Sequence, residues 1–126
     1  MIDAHLDAIE AALAPLRVHR GDAPVGGYPY VVVYADAGRR SSERLTASRH
    51  RADFYVQTTC VALGEEQLTA MRTRVVDRLS AARLVVDGRV MGWPEHTSRP
   101  MSRDEELPDR VLFYGVDTWS FSSTDA

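Results

Sequence analysis

Apolar residues recur at helical spacing at the start of the chain: Ile2, Leu6, Ile9, Leu13 and Leu16, with alanines between them. That spacing keeps one face apolar over about three turns and predicts an amphipathic helix. Asp3 is placed to cap its start, and Pro15 marks its end. Arg17–Asp22 reads as a polar connector that can hold a short strand. Pro24, Gly26, Gly27 and Pro29 then forbid regular structure. Tyr30-Val31-Val32-Val33-Tyr34 is a continuous β-branched and aromatic run, the pattern of a central strand buried on both faces. From Asp36 to about His50 the chain is rich in Gly, Arg and Ser, which predicts a long loop or the twisted ends of a hairpin.

The period then changes to two. Ala52, Phe54, Val56, Thr58 and Cys60 share one face of a strand over Arg51–Ala62, and Asp53, Tyr55, Gln57 and Thr59 share the other. Gly64 ends that strand. A second helix follows, with Leu68, Met71, Val75 and Leu79 on one stripe and Glu65 and Glu66 in the first turn, where negative charge suits the helix dipole. Leu84–Val86, Asp87-Gly88 and Arg89–Met91 predict a hairpin with a type I′ turn. Trp93 to Met101 is extended but irregular, because Pro94 and Pro100 remove ladder donors. Ser102–Pro108 is an acidic loop, and Asp109–Phe121 is the last long strand. The expected fold is α+β: one mixed or antiparallel sheet of about four to five strands packed with two amphipathic helices, in the order α-β-β-α-β-β-β. A chain that ends in its own sheet is expected to leave no tail for targeting or tethering.

Composition narrows the function more than the fold. The 126 residues make one domain, residues 1–126, long enough to bury a core. Apolar content of 44% and charged content of 26% are ordinary for a globular protein. The formal net charge is −3, unfavourable for non-specific binding of nucleic acid, which depends on phosphate neutralisation. All fifteen basic residues are arginine. The single cysteine, Cys60, excludes an intrachain disulfide. Asp3, Asp7 and Glu10 stand where a secretory signal would be basic and then apolar, and no apolar stretch approaches the ~20 residues of a membrane span.

Candidate chemistry is sparse. His5, His19, His50 and His96 show no metal-ligand spacing and are expected to be independent surface histidines. Cys60 lies mid-strand without a base nearby and is expected to be a small core residue. No nucleophile elbow, P-loop or dinucleotide glycine motif is present. No catalytic residue, metal site or cofactor is expected. The remaining features are surfaces. Arg39, Arg40, Arg44, Arg49 and Arg51 cluster with only Glu43 between them, which suits an acidic partner or nucleic acid. Asp104-Glu105-Glu106 could bind a cation but lacks EF-hand spacing and reads as a solvated loop, and Trp93, between Gly92 and Pro94, is either a core plug or an interface anchor.

Several segments together resemble the tail terminator proteins of long-tailed phages and prophages of actinobacteria. They are Tyr28–Val33, Gly38–Ser42, Arg51–Phe54, Gln57–Val61, Leu84–Val90 and Pro108–Tyr114, within a similarity over about residues 28 to 122. The resemblance is one of strands and turns. It implies a non-enzymatic α+β protein of the virion, made in the host cytoplasm, that forms a ring of six on the tail tube. Such a ring stops tube growth and meets the neck connector, and DNA passes through its hole without specific binding. Its implied partners are copies of itself, the major tail tube protein and the head–tail connector. On this reading Arg39, Arg40 and Arg44 meet an acidic surface of a neighbouring subunit or of the tube, with Asp104, Glu105 and Glu106 as one acceptor and Trp93 as an anchor. Alternatively the acidic loop lines the hole. Competing readings are a head-side adaptor or stopper of the neck, a nucleic-acid-binding module using Arg39–Arg51, and a small enzyme whose Ser, His and Asp converge from distant segments.

Overall fold

The computed structural model describes residues 2–21, 27–35, 39–42, 50–81, 83–105 and 110–125. Two helices, α1 (Ile2–Leu13) and α2 (Glu65–Ala81), pack on a sheet of eight strands. The strands are β1 (Val18–Arg20), β2 (Tyr30–Ala35), β3 (Arg39–Ser42), β4 (His50–Ala62), β5 (Arg89–Met91), β6 (Glu95–Ser98), β7 (Ser102–Asp104) and β8 (Leu112–Asp125). The expected α+β class is therefore the observed one. The sheet is mixed: β1 runs parallel to β2, and every other pairing is antiparallel.

The main path is β1-β2-β4-β8-β5. Two long strands form its axis, β4 and β8, in continuous register from Arg51↔Thr124 to Ala62↔Phe113. β2 and β3 lie end to end along one side of β4. On the free side of β8, β7, β6 and β5 line up in succession. Gly92 and Pro94 separate β5 from β6, and Pro100 separates β6 from β7. The sheet thus has more strands than the four to five expected. Segments too short and too polar to show a two-residue period became strands because β8 offers them a free edge.

The helix stripes hold. Ile9 and Leu13 of α1 are buried, as are Leu68, Met71, Val75 and Leu79 of α2. They meet Val31, Val33, Phe54, Val56, Cys60, Trp119 and Phe121 from the sheet, with Leu84, Val86 and Met91 closing one side. The bond from Leu68 N to the Gly64 carbonyl (3.0 Å) makes Gly64 the N-cap of α2, and Gln67 Oε1 accepts the N–H of the preceding residue, Leu63, at 3.0 Å. Arg78 in the last turn of α2 donates to the Ala14 carbonyl at 2.6 Å, tying it to the end of α1. Arg20 of β1 pairs with Asp7 and Glu10 of α1. On the opposite face a small cluster of Tyr30, Val32 and Val61 packs with Tyr28, Leu112 and Tyr114. β2 is therefore buried on both faces over Tyr30–Val33, while Tyr34 is exposed.

Four expectations are corrected. First, Leu84–Val86 and Arg89–Met91 do not form a hairpin; β5 pairs with β8 instead. Arg89 N–H bonds the Val86 carbonyl at 3.1 Å and Gly88 has φ 76°, but no described non-glycine residue has positive φ. With only its second central residue at positive φ, the turn is type II, not type I′, and it does not return the chain antiparallel onto itself. Second, Trp93–Met101 contains a regular strand, β6, whose flanking prolines lie outside the ladder. Third, the start of the acidic loop is strand β7, and the last strand runs Leu112–Asp125; residues 106–109 lie outside the described residues. Fourth, His5 is not a surface residue. It is buried on the core stripe of α1, stacked on Phe54 at 4.2 Å, with Nε2 2.8 Å from Ser123 Oγ. His96 is exposed on β6, as expected, but it is not independent, because it bonds Asp117 as described below.

Cys60 is fully buried, as expected. Burial, followed by the nearby Asp117 charge, pushes its thiol up to about 12. It should resist iodoacetamide in the native state and react at once in strong denaturant; rapid native labelling at neutral pH would contradict this burial.

Candidate functional site

Antiparallel register fixes which residues share a face. Phe54, Val56, Thr58 and Cys60 of β4 stand opposite Phe121, Trp119, Asp117 and Gly115 of β8, all on the helix side. Asp117 is the anomaly in that set, a carboxylate at a core position, 1% exposed. Arg72 of α2 answers it, with Nε 3.1 Å from Oδ2 and Nη2 3.2 Å from Oδ1. Arg72 Nη2 also lies 2.7 Å from Ser98 Oγ and 2.8 Å from the Arg99 carbonyl. His96 of β6 completes the group: its Nε2 is 2.8 Å from Asp117 Oδ1 and its ring stacks on Trp119 at 4.2 Å. Because an ionised carboxylate only accepts, Nε2 carries the proton. Burial alone would raise the Asp117 pKa, but hydrogen bonds from Arg72, His96 and Ser98 outweigh it and hold the carboxyl below its usual range. Gly115 makes room for this arrangement: a Cβ there would lie 2.5 Å from Arg72 Cδ. The cluster joins α2, β6 and β8 and fixes an otherwise weakly held edge strand.

Among the described residues the opposite face carries no helix. Tyr55, Gln57, Thr118 and Ser120 form its middle, with Glu95 and Thr97 of β6 beside them. A groove of about 480 Å³ runs over it, lined by Tyr34, Tyr55, Gln57, Glu95, Thr97 and Ser120 among others. A smaller cleft of about 260 Å³ adjoins it, lined by Asp53, Tyr55, Trp93, Glu95, Ser120 and Ser122. Three large aromatics stand open here: Tyr34 at 47%, Tyr55 at 49% and Trp93 at 54% exposed. Exposed aromatics gathered around a few polar groups are the usual mark of an interaction surface.

Of the residues singled out in the sequence, Trp93 is at the surface, with the Arg83 guanidinium 5.4 Å from its ring centroid. That removes the core-plug alternative. Arg39 and Arg40 lie in β3, registered with Asp53 and Ala52. Asp104 ends β7, and Glu105 pairs with Arg103 at 2.7 Å. Arg44 and Glu106 lie outside the described residues. Trp93 and the strand position facing Arg39 thus come together around one cleft. The acidic segment does not join them: β7 pairs with Leu112–Tyr114, and the Arg39 end of β4 pairs with Ser122 and Ser123. About eight to ten strand residues, roughly 30 Å, separate the two described segments along β8. Tyr34, Glu95, His96, Arg72 and Asp117 were missed. The available signal was Asp117 in the same two-residue phase as Trp119 and Phe121.

Among the described residues no group of three or more His, Cys, Asp or Glu is placed to hold a metal, and no helix is long and apolar enough to cross a membrane. No family model matches the chain, and no curated protein matches it. Among solved structures the fold matches a chain in the virion of a native gene transfer agent particle, with TM-score 0.54 and 20% identity over 97% of this chain and 88% of that one. The two share a fold along nearly their whole lengths.

Proposed function

We propose that this chain is a structural protein of a phage-like virion that forms a ring on the end of the tail tube. There it stops tube polymerisation and supplies the tail side of the head–tail joint. The observation that carries this reading is the end-to-end fold match to a chain of a gene transfer agent virion. The resemblance of the Tyr28–Val33, Gln57–Val61 and Pro108–Tyr114 segments to tail terminators points the same way. The ring contains copies of this chain, six in the resembling proteins, and faces the tube protein on one side and the neck connector on the other. DNA passes through the hole without specific binding.

A ring of identical subunits needs two different surfaces that fit each other head to tail. Strand β3, in register with β4, and the open face with its exposed aromatics and Glu95 are the candidates for them. In this reading Arg39, Arg40 and Arg44, Trp93, and Asp104, Glu105 and Glu106 lie at contacts between subunits or with the tube. The nucleic-acid-binding alternative fits less well, since the charged side chains lining the open face, Asp53 and Glu95, are both acidic.

Electron microscopy of particles assembled without this gene tests the proposal. Overlong tails of variable length, detached from heads, are expected. Tails of normal, uniform length beside DNA-leaking heads would move the protein to the head side of the neck. Normal infectious particles would overturn the structural role.

A further inference from the structure

The segment Pro94–Pro100 is held to the molecule by polar side chains, not by burial, and we infer that it is a strap. Strand β6 lifts off β8 as a local unit while the rest of the fold stays intact, and the Arg72 side chain is the clasp that holds it down.

No residue from Pro94 to Pro100 is buried. β6 pairs with β8 from Glu95↔Ser120 to Ser98↔Asp117, and among the described strands it pairs with no other. An element with few buried apolar contacts and exposed backbone bonds opens locally, whereas a core strand opens only with the whole fold. Both ends of the segment are anchored separately. Before it, the Gly92 N–H bonds the Ser122 carbonyl at 2.9 Å, an approach so close that a Cβ on Gly92 would lie 2.3 Å from Ser122 Oγ. After it, β7 pairs with Leu112–Tyr114, and the Arg103 guanidinium lies 5.4 Å from the Phe113 ring centroid. Pro94 and Pro100 donate no ladder bond and set the strap off from both anchors.

The middle is fastened from outside the ladder. Arg72 Nη2 donates to Ser98 Oγ at 2.7 Å and to the Arg99 carbonyl at 2.8 Å, while Nε holds Asp117 Oδ2 at 3.1 Å. One guanidinium thus joins α2, β8 and the strap. His96 is the second fastening, with Nε2 on Asp117 Oδ1 at 2.8 Å and its ring on Trp119 at 4.2 Å. Both meet at Asp117, which is 1% exposed and stays behind when the strap lifts. Ladder bonds of an exposed strand are exchanged for bonds to water on opening and are worth little net, whereas charge-assisted bonds are roughly twice as strong. The clasp therefore sets how often the strap opens. Opening leaves Asp117–Ser120 of β8 as a free ladder and lifts the His96 ring from Trp119, which is 1% exposed when the strap is closed.

Residue-resolved hydrogen exchange of the full-length protein, followed in rising sub-denaturing urea, tests this. The reporters are the β6 ladder amides and the Arg99 amide, which bonds the Val116 carbonyl at 3.1 Å. After correction for intrinsic rates they should exchange at least tenfold faster than the β4 amides over Phe54–Cys60. Their opening should depend little on urea, because it exposes little surface. Arg72→Met combined with Asp117→Leu removes both fastenings without stranding a charge. In that variant the strap amides should speed up at least tenfold more than the β4 amides of the same protein. Ser98→Ala removes only the Ser98 side of the clasp at an exposed position, and should raise strap exchange by a smaller factor with β4 exchange unchanged. Strap amides that open at the same rate and with the same urea dependence as β4 would overturn the strap. Strap amides that speed up no more than β4 in the double variant would overturn the clasp, and should that variant not fold, unchanged strap exchange in Ser98→Ala would do so.

Discussion

Replacing Asp117 with alanine is expected to cost about 3–5 kcal/mol, read as a large fall in the urea midpoint. The loss comes from what remains behind. Arg72 keeps its charge in a mostly buried position, and its Nε and Nη2 lose the carboxylate that faced them. His96 loses the acceptor that orients its ring on Trp119. Asp117→Asn should cost less, since an amide oxygen still accepts one of these bonds. Combining Asp117→Leu with Arg72→Met should cost less than Asp117→Ala alone, because the stranded charge then disappears. A combined loss equal to the sum of the Asp117→Leu and Arg72→Met losses would show that the pair is not energetically coupled.

The same carboxylate sets an acid limit. Its pKa is depressed in the folded chain, so the unfolded chain binds the proton more readily. Its stabilisation is therefore fully present above the unfolded carboxylate value of about 4 and is lost as pH falls through the lower folded value. The wild-type midpoint should fall through that acid window, and Asp117→Asn should show a flatter profile there. Parallel profiles would assign the acid sensitivity to other carboxylates.

The sequence was most legible where one period held for long enough. The stripes Ile9/Leu13 and Leu68/Met71/Val75/Leu79, and the alternation through Phe54, Val56, Thr58 and Cys60, all face the core as expected. The short edge strands were not legible. Glu95–Ser98 and Ser102–Asp104 have almost no apolar content, and they are strands because β8 exposes a free ladder to them. Asp87-Gly88 misled because a dipeptide indicates a turn without fixing its type: Gly88 took the positive φ and Asp87 did not. His5 misled because it was judged by ligand spacing, although it lies four residues before Ile9 on the buried stripe. The open face was illegible for another reason. Tyr34, Tyr55 and the Trp93–Glu95 stretch come from three segments, and only the tertiary register gathers them. Trp93 was singled out from its neighbours in sequence, but not what surrounds it.

The two tryptophans should behave in opposite ways, and this separates fold from surface. Trp119→Ala is expected to cost about 3–5 kcal/mol through lost transfer energy and the cavity left behind. Its ring is buried between His96, at 4.2 Å, and Phe121, at 6.5 Å. Its Nε1–H donates to the buried Thr58 Oγ1 at 3.0 Å, so truncation also strands a hydroxyl. Trp119→Phe should cost less, and adding Thr58→Val should recover part of that smaller loss. Because His96 touches both Trp119 and Asp117, the Trp119 and Asp117 substitutions should be non-additive by about 0.5–3 kcal/mol in a double-mutant cycle. Trp93→Ala removes an equally large ring from the surface, and its effect on the urea midpoint should stay within about 0.5 kcal/mol. Its effect should appear in particle assembly instead. A large stability loss at Trp93 together with normal assembly would mean that its ring serves the fold through Arg83, and the open face would lose its aromatic anchor.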